Sequence, residues 1–514
     1  MREKRRDPYR FLLVAFCLIG LVVALWYWQA VRKAGGEDSG ERYKNAAAGA
    51  AVQFRRSIVD RAGAVLADQT ASLSVCAYHI NTPPLEQWCG LVASILHMQC
   101  EDIRSRFIST QGFVYLKHDI SEAEAAGVKK AGIPGIDILE IMHRTYLDGP
   151  LFAHVIGFVD QKGRGLDGIE YQYDEILRNK SRTVFPVTIE RGLQNLVNNV
   201  LKRQLQVFQG DSGCFVIMAI ENGEILALVN IPFYDPERYW EYDRAKYPNF
   251  AISARLNPSF FPVFLQWIAQ RRAALNHPER SSSSQIPAEK GKAALSDYNV
   301  TPGAWSDATF GAFRMYSPWS DAEMRSMVFQ QDILNDLWGL GFGQVTGIDL
   351  PGEEAGSLPA SMAGTWDAVL EQYMAATPVQ TLRAFSALIN RGKLVPPHVA
   401  LMDSNNSVFK KISYWDGGMV TGPKAVPITE ELGMRLREAF ANEDGLPLVF
   451  AAPSPVRKDN NIQITALGFY PQHAPVVSYI FVMDGVQRLP DQYFKLLKPL
   501  KDVAAKAARF PLDG

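Results

Sequence analysis

A serine followed three residues later by a lysine can form an acylation site, because the i, i+3 spacing puts both side chains on one helix face. The lysine then accepts the hydroxyl proton while the serine oxygen attacks a carbonyl carbon. The sequence contains this spacing in Ser407-Val-Phe-Lys410, directly after a Ser-x-Asn pattern, Ser404-Asn-Asn406. Patterns this short arise by chance, and the neighbouring Asp and Asn residues are typical of a turn.

Composition sets limits on other kinds of chemistry. The 514 residues leave room for two or three domains, and 47% hydrophobic with 21% charged residues is ordinary for globular protein. A formal net charge of −1 creates no field that would attract nucleic acid or anionic lipid. We find no nucleotide-binding loop and no paired-cysteine zinc signature, so we predict no cofactor, no metal and no nucleic-acid partner.

The N-terminal thirty residues predict a membrane anchor. Residues 1–10 are strongly basic, residues 11–30 are almost wholly apolar, and Trp26, Tyr27 and Trp28 lie near the end of the apolar run. Twenty residues at about 1.5 Å each span the hydrocarbon core, and basic residues on the N-terminal side place that end in the cytoplasm. A cleaved signal peptide is the alternative, but its cleavage site requires small residues where these aromatics stand.

Five cysteines are present, which is too few for a disulfide framework. Cys17 lies in the apolar segment, and the other four lie after it. A Cys89–Cys100 bridge and buried free thiols both remain open at this stage. The full set is Cys17, Cys76, Cys89, Cys100 and Cys214.

The rest of the chain divides into a linker (31–51), a mixed α/β region (52–180) and one large domain (184–511). In the large domain, apolar runs at 214–220 and 225–231 flank Asn222-Gly223, which predicts a β-hairpin. A second strand pair is predicted at 464–470 and 476–483, and a helix from about Pro490 with Leu497, Leu500 and Val503 on one face. We predict one antiparallel sheet built from both ends of this domain, with a largely helical middle.

Several short motifs occur in an order that resembles the class B penicillin-binding proteins. The resemblance covers about 400 residues, and its strength lies in the shared order more than in any single match. The matching stretches are Arg56-Ser-Ile-Val-Asp-Arg-Ala-Gly-Ala-Val-Leu-Ala67, Arg144-Thr-Tyr146, Gly157-Phe-Val-Asp160, Gly165-Leu-Asp-Gly-Ile-Glu170, Gly223-Glu-Ile-Leu-Ala227, Gly341-Phe-Gly343, Thr346-Gly-Ile-Asp-Leu-Pro351, Thr377-Pro-Val-Gln380 and Asn390-Arg-Gly392.

The resemblance implies an α+β protein with a transmembrane helix, a mixed pedestal domain of the class B dimerisation kind, and a transpeptidase-like domain. The last has a central antiparallel sheet flanked by helices. It also implies a bacterial cytoplasmic-membrane location, with the bulk of the chain outside the cytoplasm. The family's chemistry is acyl transfer from a D-alanyl-D-alanine stem peptide, which uses Ser-x-x-Lys, Ser-x-Asn and Lys-Thr/Ser-Gly motifs.

In the family order, the nucleophile position falls on Ser259 and the lysine position on Pro262. Proline supplies no base. Serine is a preferred N-cap and proline is tolerated in the first turn, so we expect Ser259 to cap a helix that includes Phe264 and Ile268.

The other two motifs also depart from the family pattern. Candidates for Ser-x-Asn begin at Ser317 and Ser320, but neither contains the asparagine. Pro453, Ser454 and Pro455 stand in place of Lys-Thr-Gly, and both prolines remove backbone donors from the strand that grips substrate. The literal matches at residues 404–410 come after Thr377-Pro-Val-Gln380, which is the wrong order for this fold.

Three hypotheses follow. The first is a transpeptidase-like protein that has lost catalysis and works in peptidoglycan synthesis by protein contact or muropeptide binding. The second is an active D,D-transpeptidase with relocated catalytic groups, and the third is a periplasmic ligand sensor. Candidate partners are the membrane, through residues 11–30, peptidoglycan stem peptides, and a wall-synthesis glycosyltransferase or division and elongation proteins.

Overall fold

The computed structural model describes residues 54–109, 112–160, 162–179, 184–261, 264, 268, 330–360, 374–401, 447–455, 461–487, 489 and 497–510. The chain forms two compact units. Of the described residues, Phe54 and Gln69–His143 belong to unit 1, and Arg55–Asp68 and those from Arg144 onwards belong to unit 2. Among the described residues no helix is both long and apolar enough to cross a bilayer. The predicted anchor, residues 11–30, lies outside them.

The secondary-structure elements are numbered here in chain order. The strands are β1 Ser57–Val59, β2 Val65–Tyr78, β3 Phe113–Ile120, β4 Ile136–Tyr146, β5 Val184–Pro186, β6 Ser212–Ala219, β7 Ile225–Ile231, β8 Leu448–Pro453, β9 Ile462–Tyr470 and β10 Val477–Val486. The α-helices are α1 Cys89–Leu96, α2 Cys100–Ser109, α3 Glu122–Ala131, α4 Gly149–Ile156, α5 Gly168–Gln172, α6 Asp174–Leu177, α7 Arg191–Phe208, α8 Phe250–Ser253, α9 Gln330–Gly339, α10 Pro378–Ile389 and α11 Lys498–Ala507. Short 3₁₀ helices occupy Leu85–Gln87, Pro236–Glu241, Arg244–Lys246 and Pro258–Phe260.

Unit 1 is a small α/β body. The later part of β2 pairs with β3 in antiparallel register, with Val75 opposite Lys117. Helices α1, α2 and α3 contribute to one apolar core that includes the fully buried Leu96 and Ile103. Helix α3 starts at a capping box, in which Ser121 and Glu124 each satisfy the other's backbone N–H.

The structure resolves the question of the cysteines that the sequence left open. Cys89 and Cys100 form a disulfide whose Cα atoms are 5.6 Å apart, which joins α1 to α2. Cys76 and Cys214 are free and buried. Burial raises the pKa of the Cys76 thiol to about 11 and raises that of Cys214 as well.

Unit 2 contains the predicted antiparallel sheet, with strand order β7-β6-β10-β9-β8. The Asn-Gly hairpin between β6 and β7 is confirmed, and Gly223 adopts the positive φ of 82° that favours glycine. The second strand pair is also confirmed. Strand β10 pairs with both β9 and β6, so the two ends of the domain meet at the sheet centre.

Alternate residues of the sheet face two apolar cores. Phe215 and Ile217 pack with the core of α7 and α11, whereas Val216 and Met218 pack with the core that contains α10. The predicted C-terminal helix is present but begins at Lys498, and Leu497, Leu500 and Val503 are buried as expected. Its predicted start near Pro490 lies outside the described residues.

A buried carboxylate links the motif blocks of unit 2. The Glu170 side chain is fully buried and accepts hydrogen bonds from Nε of Arg55 and, at 2.7 Å, from Nε of Arg144. Arg55 also donates to Asp174 at 2.6 Å. A Cβ at Gly157 would lie 1.8 Å from the Asp167 carbonyl oxygen, so this approach requires glycine. The buried charges of Arg55 and Arg144 are therefore offset by the carboxylates of Glu170 and Asp174.

We expect Glu170→Gln to lower the free energy of unfolding by about 3 kcal/mol, because it leaves buried guanidinium charge without its carboxylate. The control is Asp243→Asn, at an exposed carboxylate 3.9 Å from Lys246, for which we expect a change below about 0.5 kcal/mol. Urea denaturation of both variants measures the difference. Equal effects would contradict a special role for the buried group.

Candidate functional site

The nucleophile position lies in a short 3₁₀ helix, Pro258–Phe260, that follows α8 in the chain. Asn257 is its N-cap, because the Asn257 Oδ1 accepts the Ser259 N–H at 2.9 Å. The prediction that Ser259 itself caps the helix is therefore wrong by two residues. Asparagine is as good an N-cap as serine, and Pro258 at the first helical position fits a start at Asn257. Phe264 and Ile268 are helical, as predicted.

Aromatic side chains fill the space behind Ser259. Phe260, Phe261 and Phe264 are fully buried, and the Phe261 ring centroid lies 4.8 Å from that of Phe342. Ser259 keeps 9% of its surface exposed. The described residues that follow Ser259 in the chain are therefore apolar and buried.

The third motif position lies beside this helix. Strand β8 is at the edge of the sheet, and its last residue, Pro453, is opposite Ile462 of β9. The Asn257 Nδ2 donates to the Pro453 carbonyl oxygen at 2.7 Å. Ser454 donates its N–H to the Asn461 carbonyl at 2.7 Å and is 8% exposed. The structure thus brings the Ser259 and Pro453 positions together, and Pro455 follows two residues later.

Gln463, which the sequence did not indicate, holds the segment before Ser259. It lies on β9 and is 3% exposed. Its Oε1 accepts the Asn257 N–H at 2.7 Å, and its Nε2 donates to the Arg255 carbonyl at 3.3 Å. The side-chain amide pairs with the backbone much as a neighbouring strand would.

The remaining predicted positions cannot be placed. Pro262, Ser317 and Ser320 lie outside the described residues, as do Ser404–Lys410. Among the residues that the structure describes, no cluster of His, Cys, Asp and Glu could hold a metal ion.

Helix α10 ties two of the sequence blocks together. Thr377 caps it by accepting the Gln380 N–H at 3.2 Å. The Gln380 Nε2 donates to the carbonyl oxygens of Gly341, Gln344 and Ala355 at 3.2, 2.6 and 2.8 Å. One buried amide therefore holds the Thr377-Pro-Val-Gln380 block against the segment that contains Gly341-Phe-Gly343.

A chain of amides supports the approach to Ser259 from the other side. The Asn230 Nδ2 donates to Asn249 at 2.9 Å, and the Asn230 Oδ1 accepts the Ala251 N–H at 3.0 Å. Asn249 in turn donates to the carbonyl of His154 at 3.1 Å. These contacts fix α8, which leads into the segment that Gln463 binds.

Residues 213–416 match the family model of the penicillin-binding protein transpeptidase domain, and residues 54–192 match that of the penicillin-binding protein dimerisation domain. The chain belongs to the class B penicillin-binding proteins. The family and the two-part fold inferred from the sequence are confirmed.

Three relatives of this class B protein have low sequence identity, but each match covers more than half of both chains. A probable peptidoglycan D,D-transpeptidase PbpC of Pseudomonas aeruginosa is 26% identical over 452 residues, covering 79% of this chain and 78% of the relative. A probable peptidoglycan D,D-transpeptidase PenA of Neisseria meningitidis is 24% identical, covering 77% and 73%. The peptidoglycan D,D-transpeptidase FtsI of Escherichia coli is 23% identical, covering 62% and 58%.

His154 gives the region a predicted pH dependence. The imidazole Nε2 lies 3.2 Å from the Tyr247 carbonyl, and burial lowers the His154 pKa from 6.5 to about 4. The folded state thus favours the neutral ring, and the unfolded state binds more protons between these values. The stability that the neutral ring contributes is present above pH 6.5 and falls by up to about 3 kcal/mol as the pH drops through 4.

We expect His154→Gln, which can still donate to the Tyr247 carbonyl, to lack this contribution to acid sensitivity. The difference in unfolding free energy between wild type and variant should shrink as the pH falls from 7 towards 4. Urea denaturation at a series of pH values measures it. A difference that stays constant with pH would contradict the assignment.

Proposed function

We propose that this class B penicillin-binding protein is a membrane-anchored component of peptidoglycan synthesis that does not itself cross-link peptides. Its relatives are named as peptidoglycan D,D-transpeptidases, which supports a role in that process. The single observation that carries the loss of catalysis is that Pro262, which has no basic group, occupies the lysine position in the family order. The protein then acts by protein contact or by binding muropeptides.

The other catalytic positions support the same proposal. Losing one member of a catalytic constellation typically costs on the order of 10⁴ to 10⁶ in rate. Here Lys-Thr-Gly is replaced by Pro453-Ser-Pro455, and the Ser317 and Ser320 patterns lack the asparagine. The described neighbours of Ser259 include the phenyl rings of Phe260 and Phe261 and the Asn257 amide, and none of these groups can take a proton from a hydroxyl.

The proposed location is the bacterial cytoplasmic membrane, with residues 11–30 as a single-pass anchor and the pedestal (52–180) and transpeptidase-like (184–511) domains outside the cytoplasm. The Cys89–Cys100 disulfide supports this, because such bridges persist in oxidising compartments and are rare in the cytosol. In that position, a wall-synthesis glycosyltransferase or division and elongation proteins are the proposed partners.

An active transpeptidase with relocated groups is the competing proposal, favoured only by the names of the relatives. Fluorescent penicillin distinguishes the two, because it acylates a working serine. We expect no covalent labelling of the folded wild-type protein and the same result for Ser259→Ala. Folding is checked by a cooperative thermal transition. Labelling of the wild type that Ser259→Ala abolishes would refute the loss of catalysis.

The proposed location predicts a pattern of thiol accessibility. In membranes denatured without reductant, a maleimide-polymer reagent should modify three of the five cysteines, since Cys89 and Cys100 are bridged. Deletion of residues 1–30 should retain the chain in the cytoplasm, where the bridge does not form. That variant should show four modified thiols, because Cys17 is lost with the deleted segment. Five modified thiols in the full-length chain would contradict the location.

A further inference from the structure

The hydrogen bonds that join the nucleophile turn to strands β8 and β9 come from Asn257 and Gln463, which belong to none of the three catalytic motifs. The N–H, Oδ1 and Nδ2 of Asn257 all make hydrogen bonds. Its N–H binds Gln463, its Oδ1 receives the Ser259 N–H, and its Nδ2 binds the Pro453 carbonyl at 2.7 Å. Side-chain amides therefore hold the turn that carries Ser259 against strands β8 and β9.

The direction of the Pro453 carbonyl determines which side of strand β8 the Asn257 side chain occupies. Successive residues of a strand direct their backbone groups to opposite sides. The Ser454 N–H points towards the β9 side, where it binds the Asn461 carbonyl. The Pro453 carbonyl, which belongs to the same peptide group, therefore points the opposite way, to the open side of the edge strand. Asn257 meets it there.

An open strand edge binds extended peptides through its N–H and carbonyl groups. At Pro453 neither group is available. Proline has no N–H to donate, and the carbonyl already accepts the Asn257 amide. The Asn257 carboxamide thus makes the bond that the backbone N–H of an added peptide strand would make.

We propose that Asn257 and Gln463 form a latch that closes the edge strand against an incoming peptide. The latch is an autoinhibitory contact within the chain: it fixes the Ser259 turn on β8 and occupies the outward acceptor at the end of that strand. The inference rests on the proposed function, since it explains how a site without catalysis is held shut, and it favours protein contact over muropeptide binding at this edge.

Asparagine is suited to this because its amide carries both a donor and an acceptor. Asn257→Ser separates the two roles. Serine can still accept the Ser259 N–H as an N-cap, and it keeps its own N–H for Gln463, but its side chain has no group that reaches Pro453. The matched control is Asn195→Ser. In the wild type the Asn195 Nδ2 donates to the Arg191 carbonyl at 3.1 Å, on the exposed side of α7.

Hydrogen exchange read by mass spectrometry tests the latch. In Asn257→Ser, loss of one hydrogen bond should speed exchange in the peptide covering residues 450–454 by about fivefold to tenfold. Exchange in the centres of β9 and β10 should stay unchanged, as it should throughout Asn195→Ser. Unchanged exchange at residues 450–454, or an equal rise across the whole sheet, would overturn the proposal.

The second arm uses a stem pentapeptide ending in D-alanyl-D-alanine. The peptide should leave residues 450–454 of the wild type unprotected and should slow their exchange in Asn257→Ser. Protection of the wild type would show that the edge is open. A variant as unprotected as the wild type would show that Asn257 is not what excludes the peptide. Penicillin labelling of Ser259 would refute the proposed function and leave the exchange result at residues 450–454 standing.

Discussion

The pairing of β10 with β6 is the interaction on which the large unit depends. It places Phe215 opposite Phe481, residues more than 260 positions apart, and puts the C-terminal strand between the first hairpin and β9. Such a long-range pairing costs loop-closure entropy, which is offset by burying both faces of the sheet. Helices α7 and α11 cover one face and α10 the other, so the edge strand β8 is presented at a fixed position.

Two segments of the chain meet at that edge, at the position that the family order assigns to the nucleophile. One brings Ser259 from the helical side, and the other brings Pro453 from the sheet. In a working transpeptidase a lysine and a receptive strand would meet here. In this chain the Asn257 amide meets the proline-terminated strand β8, and their hydrogen bond holds the two segments together.

The sequence predicted the sheet because its signals are local. The Asn-Gly hairpin, the apolar runs of β9 and β10, and the spacing of Leu500 and Val503 each follow from short-range pattern. The site was harder to predict. Asn257 rather than Ser259 is the N-cap, because the position of the cap depends on where the backbone turns into the helix. Residue preferences for the N-cap position alone do not determine that point. The role of Gln463 was not predicted, because its hydrogen-bond partners are backbone groups of a distant segment that only tertiary packing brings next to β9.

The buried Cys76 and Cys214 have a consequence for maturation. Only a thiolate attacks a disulfide, and both thiols are held protonated by burial in β2 and β6. Once these strands are in place, neither cysteine can exchange with the Cys89–Cys100 bridge. In the folded chain, burial of these two thiols therefore protects the Cys89–Cys100 pairing from exchange with them.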